Sequence, residues 1–298
     1  MRRKKETANI ENMEMATRRR GQWRDILGRL FRNKLGTLGV IIVVVLLILI
    51  VFAGVFTKYD YSAQDFGSRF LLPSLEHPMG TDNFGRDLWS RLLYGGRISL
   101  LVAVVAVIIA TGLGIVFGSI AGYFGGKTDL IITRLMDILM AIPALLLAIA
   151  ISSALGSGPI KTAIAISISS IPHAARIMRS TVMSVKGNEF VEAAQATGSG
   201  NTRIIFKHIL PNTIAPLIVN ATLQLGGCIM SISGLSFIGL GVQPPTPEWG
   251  SILAAGRAYI RDFWPIIVFP SLFIVLTVFG FNLFGDALRD ALDPRLKD

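Results

Sequence analysis

The residues of this 298-residue chain that could do chemistry are few and scattered. The run Ala121-Gly122-Tyr123-Phe124-Gly125-Gly126-Lys127-Thr128 fits a relaxed phosphate-loop pattern with alanine in place of the first glycine. A phosphate loop needs a preceding strand and a following helix, so that backbone amides and the helix N-terminus converge on the phosphate. A long apolar run precedes it here, so nucleotide binding by this chain is not expected. His77, His173 and His208 fall in three separate segments and cannot readily share one metal. Cys228 is the one cysteine, has no internal disulfide partner, and reads as a small packing residue in an apolar stretch. Arg134 and Asp137, three apart, are explained by a local ion pair with snorkelling. No nucleophile elbow or carboxylate pair stands out. The expectation is a chain that is not an enzyme, with no metal and no cofactor of its own.

Glu192-Ala193-Ala194, then Gly198, then His208-Ile209-Leu210-Pro211 lie between two long apolar segments and read either as a polar loop helix resting on its own bundle, which the residues alone favour, or as a handle for gripping a partner. Asn188 is placed to cap a short helix whose first turn carries Glu189 and Glu192, where acidic groups suit the helix dipole. Gly198 is placed to end that helix in a left-handed turn, and Asn201 to cap the next one.

The elements that must position this handle cross a membrane. The chain is 52% hydrophobic and only 16% charged, too apolar for an ordinary soluble domain of its length. Charge-free stretches run over 35–57, 98–126, 138–160, 209–247 and 263–285. At ~1.5 Å per residue even the shortest reaches about 34 Å, enough for a ~30 Å hydrocarbon layer. A sixth span is expected around 159–183, which carries Lys161, His173, Arg176 and Arg179 and must hide them in a bundle or against water. The Gly- and Pro-rich second half of 209–247 suggests a sheltered re-entrant piece. Residues 1–35 hold eleven Lys or Arg against four acidic groups, which places both termini and the Glu192 segment in the cytoplasm if six spans follow. This basic run orients the chain and meets anionic membrane lipid, and it is not read as a nucleic-acid arm. The expected organisation is a basic cytoplasmic leader (1–35), a first span (36–57), an external loop with an interfacial helix (58–97), a core of five spans containing the 188–211 loop (98–285), and a cytoplasmic tail (286–298).

The first external loop contains His77-Pro78-Met79-Gly80-Thr81-Asp82-Asn83-Phe84-Gly85-Arg86-Asp87 and leads into an amphipathic stretch with Leu88, Trp89, Leu92 and Leu93 on one side. The last one, Gln243-Pro244-Pro245-Thr246-Pro247-Glu248-Trp249-Gly250, is stiffened by three prolines. Ser167, Ser170 and His173 in the fourth span, and Ser231 and Ser233 in the fifth, either serve close helix packing or line a path.

The 192–211 spacing resembles the EAA loop of ATP-binding-cassette importer permeases: Glu-Ala-Ala, three residues, Gly, nine residues, then a hydrophobic-x-Leu-Pro ending. His208 stands where many members have an aliphatic residue, although the peptide importers commonly carry histidine there. The 77–87 run is similar to the His-Pro-x-Gly-Thr-Asp-x-x-Gly-Arg-Asp signature of the C-type permease subunit of dipeptide and oligopeptide importers. Resemblance continues through Ala121 to Gly126, Leu235 to Pro245 and Asn282 to Arg295, and covers the chain from Gln22 on. It implies an all-α, six-span, type I importer permease fold of the MetI-like kind in a bacterial cytoplasmic membrane. The implied partners are a second related permease, two cytoplasmic ATPases holding ATP and Mg, an extracytoplasmic binding protein and a peptide. Glu192, Ala193, Ala194, Gly198, His208 and Pro211 would then couple to the ATPases. Asp82, Arg86, Gln243, Glu248 and Trp249 would be candidate contacts for the binding protein, the 243–250 loop reading equally as a structural one that shapes the end of a re-entrant helix. Nickel or glutathione as cargo keeps the same architecture. A secondary transporter driven by an ion gradient is the alternative of another class, and would want membrane-centre carboxylates that the apolar stretches lack.

Overall fold

The computed structural model describes residues 28–292, and among them there are helices and no strands beyond one isolated Thr81–Asp87 bridge. The leader up to residue 27 and the tail from 293 lie outside the described residues, and with them most of the basic N-terminal charge, Arg295 and Lys297. Helix α1 spans Lys34–Val51 and is capped by Asn33, whose side chain accepts from the Leu35 and Gly36 amides. Helix α2 spans Leu88–Phe124, α3 Gly126–Met140, α4 Ala144–Leu155 and α5 Pro159–Lys186. The short α6 spans Glu189–Ala196, α7 Leu210–Phe237, α8 Trp249–Gly256 and α9 Pro265–Leu292.

The chain runs back and forth between two ends of one bundle. Gly36 and Gly39 of α1 lie against Ala287 and Leu283 of α9, and Gly226 and Gly285 bring α7 and α9 together in opposite senses. Four helical stretches, Lys34–Val51, Leu88–Phe124, Asn201–Phe237 and Pro265–Leu292, are long and apolar enough to cross a membrane. The expected third span is instead two helices, α3 and α4, bent by 86° at a break just before Pro143, and the pair counts as a fifth span if taken as one. Proline lacks an amide and its ring collides with the carbonyl four residues back, so the helix cannot continue straight through it. The stretch expected as a sixth span is the 28-residue α5, which is long enough but is not among the helices apolar enough to cross a membrane.

Two further expectations are corrected. Among the described residues the stretch from Leu88 forms no separate interfacial helix. The amphipathic stretch from Leu88 forms the first turns of the 37-residue α2, capped by Asp87, and Leu88, Leu92 and Leu93 are wholly buried in the main core. The last helix likewise runs past residue 285 to Leu292, so the tail does not begin at 286.

The broadest helix pairing is α2 on α5. These two run parallel, with Gly114, Gly118 and Gly122 of α2 seated against Ala174, Ala175 and Val182 of α5. Large apolar side chains such as Ile41, Leu101, Ile108 and Val275 are more than half exposed around the outside. Such a surface suits lipid rather than water as the solvent.

Candidate functional site

At the end of the bundle where α2 and α5 finish, α6 forms the predicted handle. Its first turn carries Glu189 and Glu192, and Asn188 precedes it in extended conformation without making the expected side-chain cap. Gly198 closes it as expected, at φ 74°, with its amide on the Gln195 carbonyl (2.9 Å) and the Ser199 amide on the Ala194 carbonyl (3.1 Å). This paired closure is a Schellman turn, which needs the left-handed residue that glycine supplies without a Cβ clash.

The handle has a keel and a face. Val191 and Ala194 are buried against Ile204, Ile205 and Ile209, together with Met178 and Val182 of α5 and Tyr123 of α2. Ala194 therefore packs on its own bundle and is not free for a partner, whereas Glu189, Glu192 and Ala193 are exposed. Two aromatic residues that the sequence reading missed share this exposed end, Phe190 at 39% and Phe206 at 67%. Apolar side chains off the buried stripe of a short amphipathic helix were the available signal. Asn201 does not cap. It lies inside the next turn, where its Oδ1 accepts from the Tyr123 hydroxyl at 3.0 Å. Residues 204–209 form a π-helical turn in which the Leu210 amide donates to the Ile205 carbonyl. That widening immediately precedes Pro211, which has no amide to continue the α-helical ladder. His208 is half-buried there and Pro211 exposed.

The opposite end corrects four of the five expected binding-protein contacts. Asp82 and Arg86 are 2% and 7% exposed, and their side chains pair at 2.6 Å. Arg91 Nε lies 3.4 Å from the same Asp82 oxygen, close enough for charge attraction but without hydrogen-bond alignment. Glu248 is fully buried and caps α8: its carboxylate accepts from the Ser251 amide at 3.0 Å and from the hydroxyls of Ser99 (3.1 Å) and Ser233 (3.4 Å). Trp249, also fully buried, donates its indole N–H to the Leu92 carbonyl at 2.9 Å. Polar groups so enclosed satisfy one another inside the bundle. Gln243 is half-buried, and the exposed residues beside it are Pro244 and Pro245. At the same end Asp65 accepts from the Ser68 hydroxyl at 2.6 Å and from the Gly67 amide, which holds its carboxyl below the usual carboxylate range.

Between these ends a cavity of about 450 Å³ opens beside the α3–α4 break, walled by α5 and α7. Ser170, His173 and Ser231 line it, together with Ser169 and Gln224. Ser167 and Ser233 do not: Ser167 donates to the Ala163 carbonyl within its own helix, and Ser233 points to Glu248. Nearer the handle, Asp137 does meet Arg134, at 3.8 Å, but its closer partner is Arg176 of α5 at 3.0 Å. Arg179 pairs with Asp129 at 2.6 Å, so two ion pairs tie α3 to α5. Among the described residues no cluster of His, Cys, Asp or Glu could hold a metal.

Comparison with known proteins gives this geometry a setting. Residues 114–298 match the family described as binding-protein-dependent transport system inner membrane component. Residues 21–73 match the N-terminal TM domain of oligopeptide transport permease C. The dipeptide transport system permease protein DppC of Alkalihalophilus pseudofirmus is 45% identical over 275 residues, covering 92% of this chain and 90% of that protein. The oligopeptide transport system permease protein OppC of Bacillus subtilis is 39% identical over 275 residues, with the same coverages of 92% and 90%. The glutathione transport system permease protein GsiD of Escherichia coli is 40% identical, covering 93% of this chain and 92% of that one. A solved inward-facing structure of the MetNI methionine ABC transporter shares the fold, with a TM-score of 0.55 and 18% identity over 68% of this chain and 96% of that one.

Proposed function

Since this chain belongs to the binding-protein-dependent transport system inner membrane components, we propose that it forms half of a peptide import path and takes its power from partner ATPases through α6. In this reading ATP and Mg reside in two cytoplasmic partner subunits, and a second related permease completes the path. A substrate-binding protein delivers dipeptides or oligopeptides from outside, and both termini of this chain face the cytoplasm. The relatives named as dipeptide and oligopeptide permeases support the cargo. The glutathione permease among them keeps that tripeptide as a second reading.

The observation that carries the coupling role is the division of α6 into an exposed acidic face and a buried keel. An ATPase groove grips Glu192, Ala193, Phe190 and Phe206, while Val191 and Ala194 pass the displacement into the ends of α2, α5 and α7 together. The Schellman closure at Gly198 keeps α6 short and stiff, so it moves as a lever and does not fray. Tilting these helices as units exchanges inward-open and outward-open packings of one bundle. Hydrolysis therefore requires no catalytic group in this chain. It requires a rigid connection.

In the assembled complex Gly198→Val is expected to strain the turn by about 1–3 kcal/mol, since a β-branched residue is a poor occupant of the left-handed region. ATP-driven uptake should fall while ATP hydrolysis persists, and Glu192→Trp should act likewise by blocking the groove. Normal uptake by correctly assembled variants would count against the lever. Phe206→Ala should weaken co-purification of the ATPase by about tenfold or more, as truncation of an aromatic anchor does at an interface. Uptake assays with labelled dipeptide, tripeptide, glutathione and nickel discriminate the cargoes.

A further inference from the structure

The face of α7 that carries Asn220, Gln224, Gly227 and Ser231 repeats at helical spacing and borders two successive cavities. The about 450 Å³ cavity takes Gln224, Gly227 and Ser231. A second, of about 560 Å³, takes Asn220 and continues along the same two helices, from His173 to Ile177 on α5 and from Gln224 to Asn220 on α7. Three hydroxyls on α7 are spent within the helix: Thr213, Thr222 and Ser231 each donate to a backbone carbonyl three or four residues back. The two amides differ. Asn220 Nδ2 and Gln224 Oε1 are buried, and neither has a hydrogen-bond partner among the described residues. A buried amide atom left unpaired costs about 1–3 kcal/mol, so two such atoms on one face, each on a residue that lines open volume, call for a ligand that pairs them.

We propose that Asn220 and Gln224 form a clamp for the main chain of the translocating cargo, hydrogen bonding its peptide groups and ignoring its side chains; this rests on the peptide reading above. Four residues of helix advance ~6 Å, close to the roughly 6.8 Å over which an extended peptide repeats the same edge. On one edge of an extended tripeptide the two amides therefore meet the carbonyl of its first residue and the N–H or terminal carboxylate of its third. Each side-chain amide carries both a donor and an acceptor, so each can take a carbonyl or an N–H. Gly227 keeps the wall open one turn further, where a cargo side chain of any size can lie. Such a clamp recognises the class of molecule, a chain of amides, and leaves sequence unselected.

The test uses the complete importer in proteoliposomes, with saturating binding protein loaded with trialanine. The double variant Asn220→Leu with Gln224→Met keeps the volume and removes the hydrogen bonds. Its initial uptake should fall about tenfold, the loss expected for two hydrogen bonds of ordinary net strength, while ATP hydrolysis stimulated by the loaded binding protein continues. Trialanine with its second amide replaced by an ester should lose less in the variant than in the wild type. Uptake by the assembled variant within twofold of wild type overturns the clamp. Should the double variant fail to assemble, turnover of a benzophenone-bearing tripeptide by the wild-type complex decides: label between residues 219 and 231 of α7 supports the clamp, and label confined elsewhere overturns it. A wild-type complex that imports no trialanine overturns the peptide reading and the clamp with it. A wild type that imports and a variant that matches it overturns the clamp alone.

Discussion

Asp82→Leu is expected to lower the stability of the end of the bundle opposite α6 by about 3–5 kcal/mol, the cost of removing one partner from a buried ion cluster. The carboxylate is almost wholly enclosed. One oxygen accepts from the Phe84 and Arg86 amides at 2.8 and 3.0 Å, and the other faces the guanidinium groups of Arg86 and Arg91 at 2.6 and 3.4 Å. Leucine removes both functions at once. The turn loses the acceptor that closes it, and two buried cations are left near each other with no counter-charge. Asp82→Asn retains an acceptor for the turn and should recover part of the loss. Adding Arg86→Met to Asp82→Leu should recover another part, because it removes one of the orphaned charges. Thermal unfolding of the purified chain in lipid nanodiscs, followed by tryptophan fluorescence, reads all three. Unfolding of Asp82→Leu at the wild-type temperature would show that the cluster contributes nothing.

That cluster also marks where sequence reading stops. Asp82, Arg86, Glu248 and Trp249 are polar or interfacial residues in turn-rich, outward loops, and such residues ordinarily face solvent or a partner. Their burial comes from groups far away in the chain: Ser99 lies 149 residues from Glu248, and Leu92 lies 157 from Trp249. No local pattern announces those pairings. Gly95 and Gly96 lie just before the charge-free stretch expected as the second span, yet the helix runs straight through them. Both glycines sit mid-helix under a close contact: a Cβ at Gly96 would lie 2.7 Å from Ile50 and 2.8 Å from Trp249, and one at Gly95 would lie 3.4 Å from the Glu248 backbone. Their missing side chains admit neighbours and do not end a helix. The break at Pro143, by contrast, was announced by its own residue and was passed over because apolarity continues across it. Gly198 was legible because its reason is local, a left-handed residue at a helix end. The apolar spans were legible because their solvent is lipid, which acts on composition alone. The amide pair on α7 was not, since an unpaired atom is visible only when every neighbour is in place.

Close approach of backbones is also what makes Gly118→Leu the second severe change. On the parallel α2–α5 seam a Cβ at residue 118 would stand 2.5 Å from the Ala175 carbonyl oxygen, 2.6 Å from the Met178 Cβ and 2.9 Å from the Arg179 amide nitrogen. Two of those three are backbone atoms, which cannot swing aside, so relief requires that the helices separate. Overpacking a core ordinarily costs about 1–3 kcal/mol, and a rigid neighbour places this case at or above the upper end. Separation would also reach the α6 end. Arg179, which holds Asp129 of α3, follows directly on the contact, and Tyr123, which holds Asn201 beyond α6, lies little more than a turn further along α2. Both links join the handle's surroundings to the seam, so the variant should lose ATP-driven uptake as well as thermal stability. Gly112→Ala provides the control. It adds a methyl two residues before Gly114 on the same helix, where no atom lies within 4 Å, and alanine favours an exposed helix interior by about 1 kcal/mol. That variant should transport normally and unfold no earlier than wild type. If Gly118→Leu behaves like Gly112→Ala, the seam yields more easily than close-packed backbones allow, and α2 and α5 do not move as the single rigid pair that the lever requires.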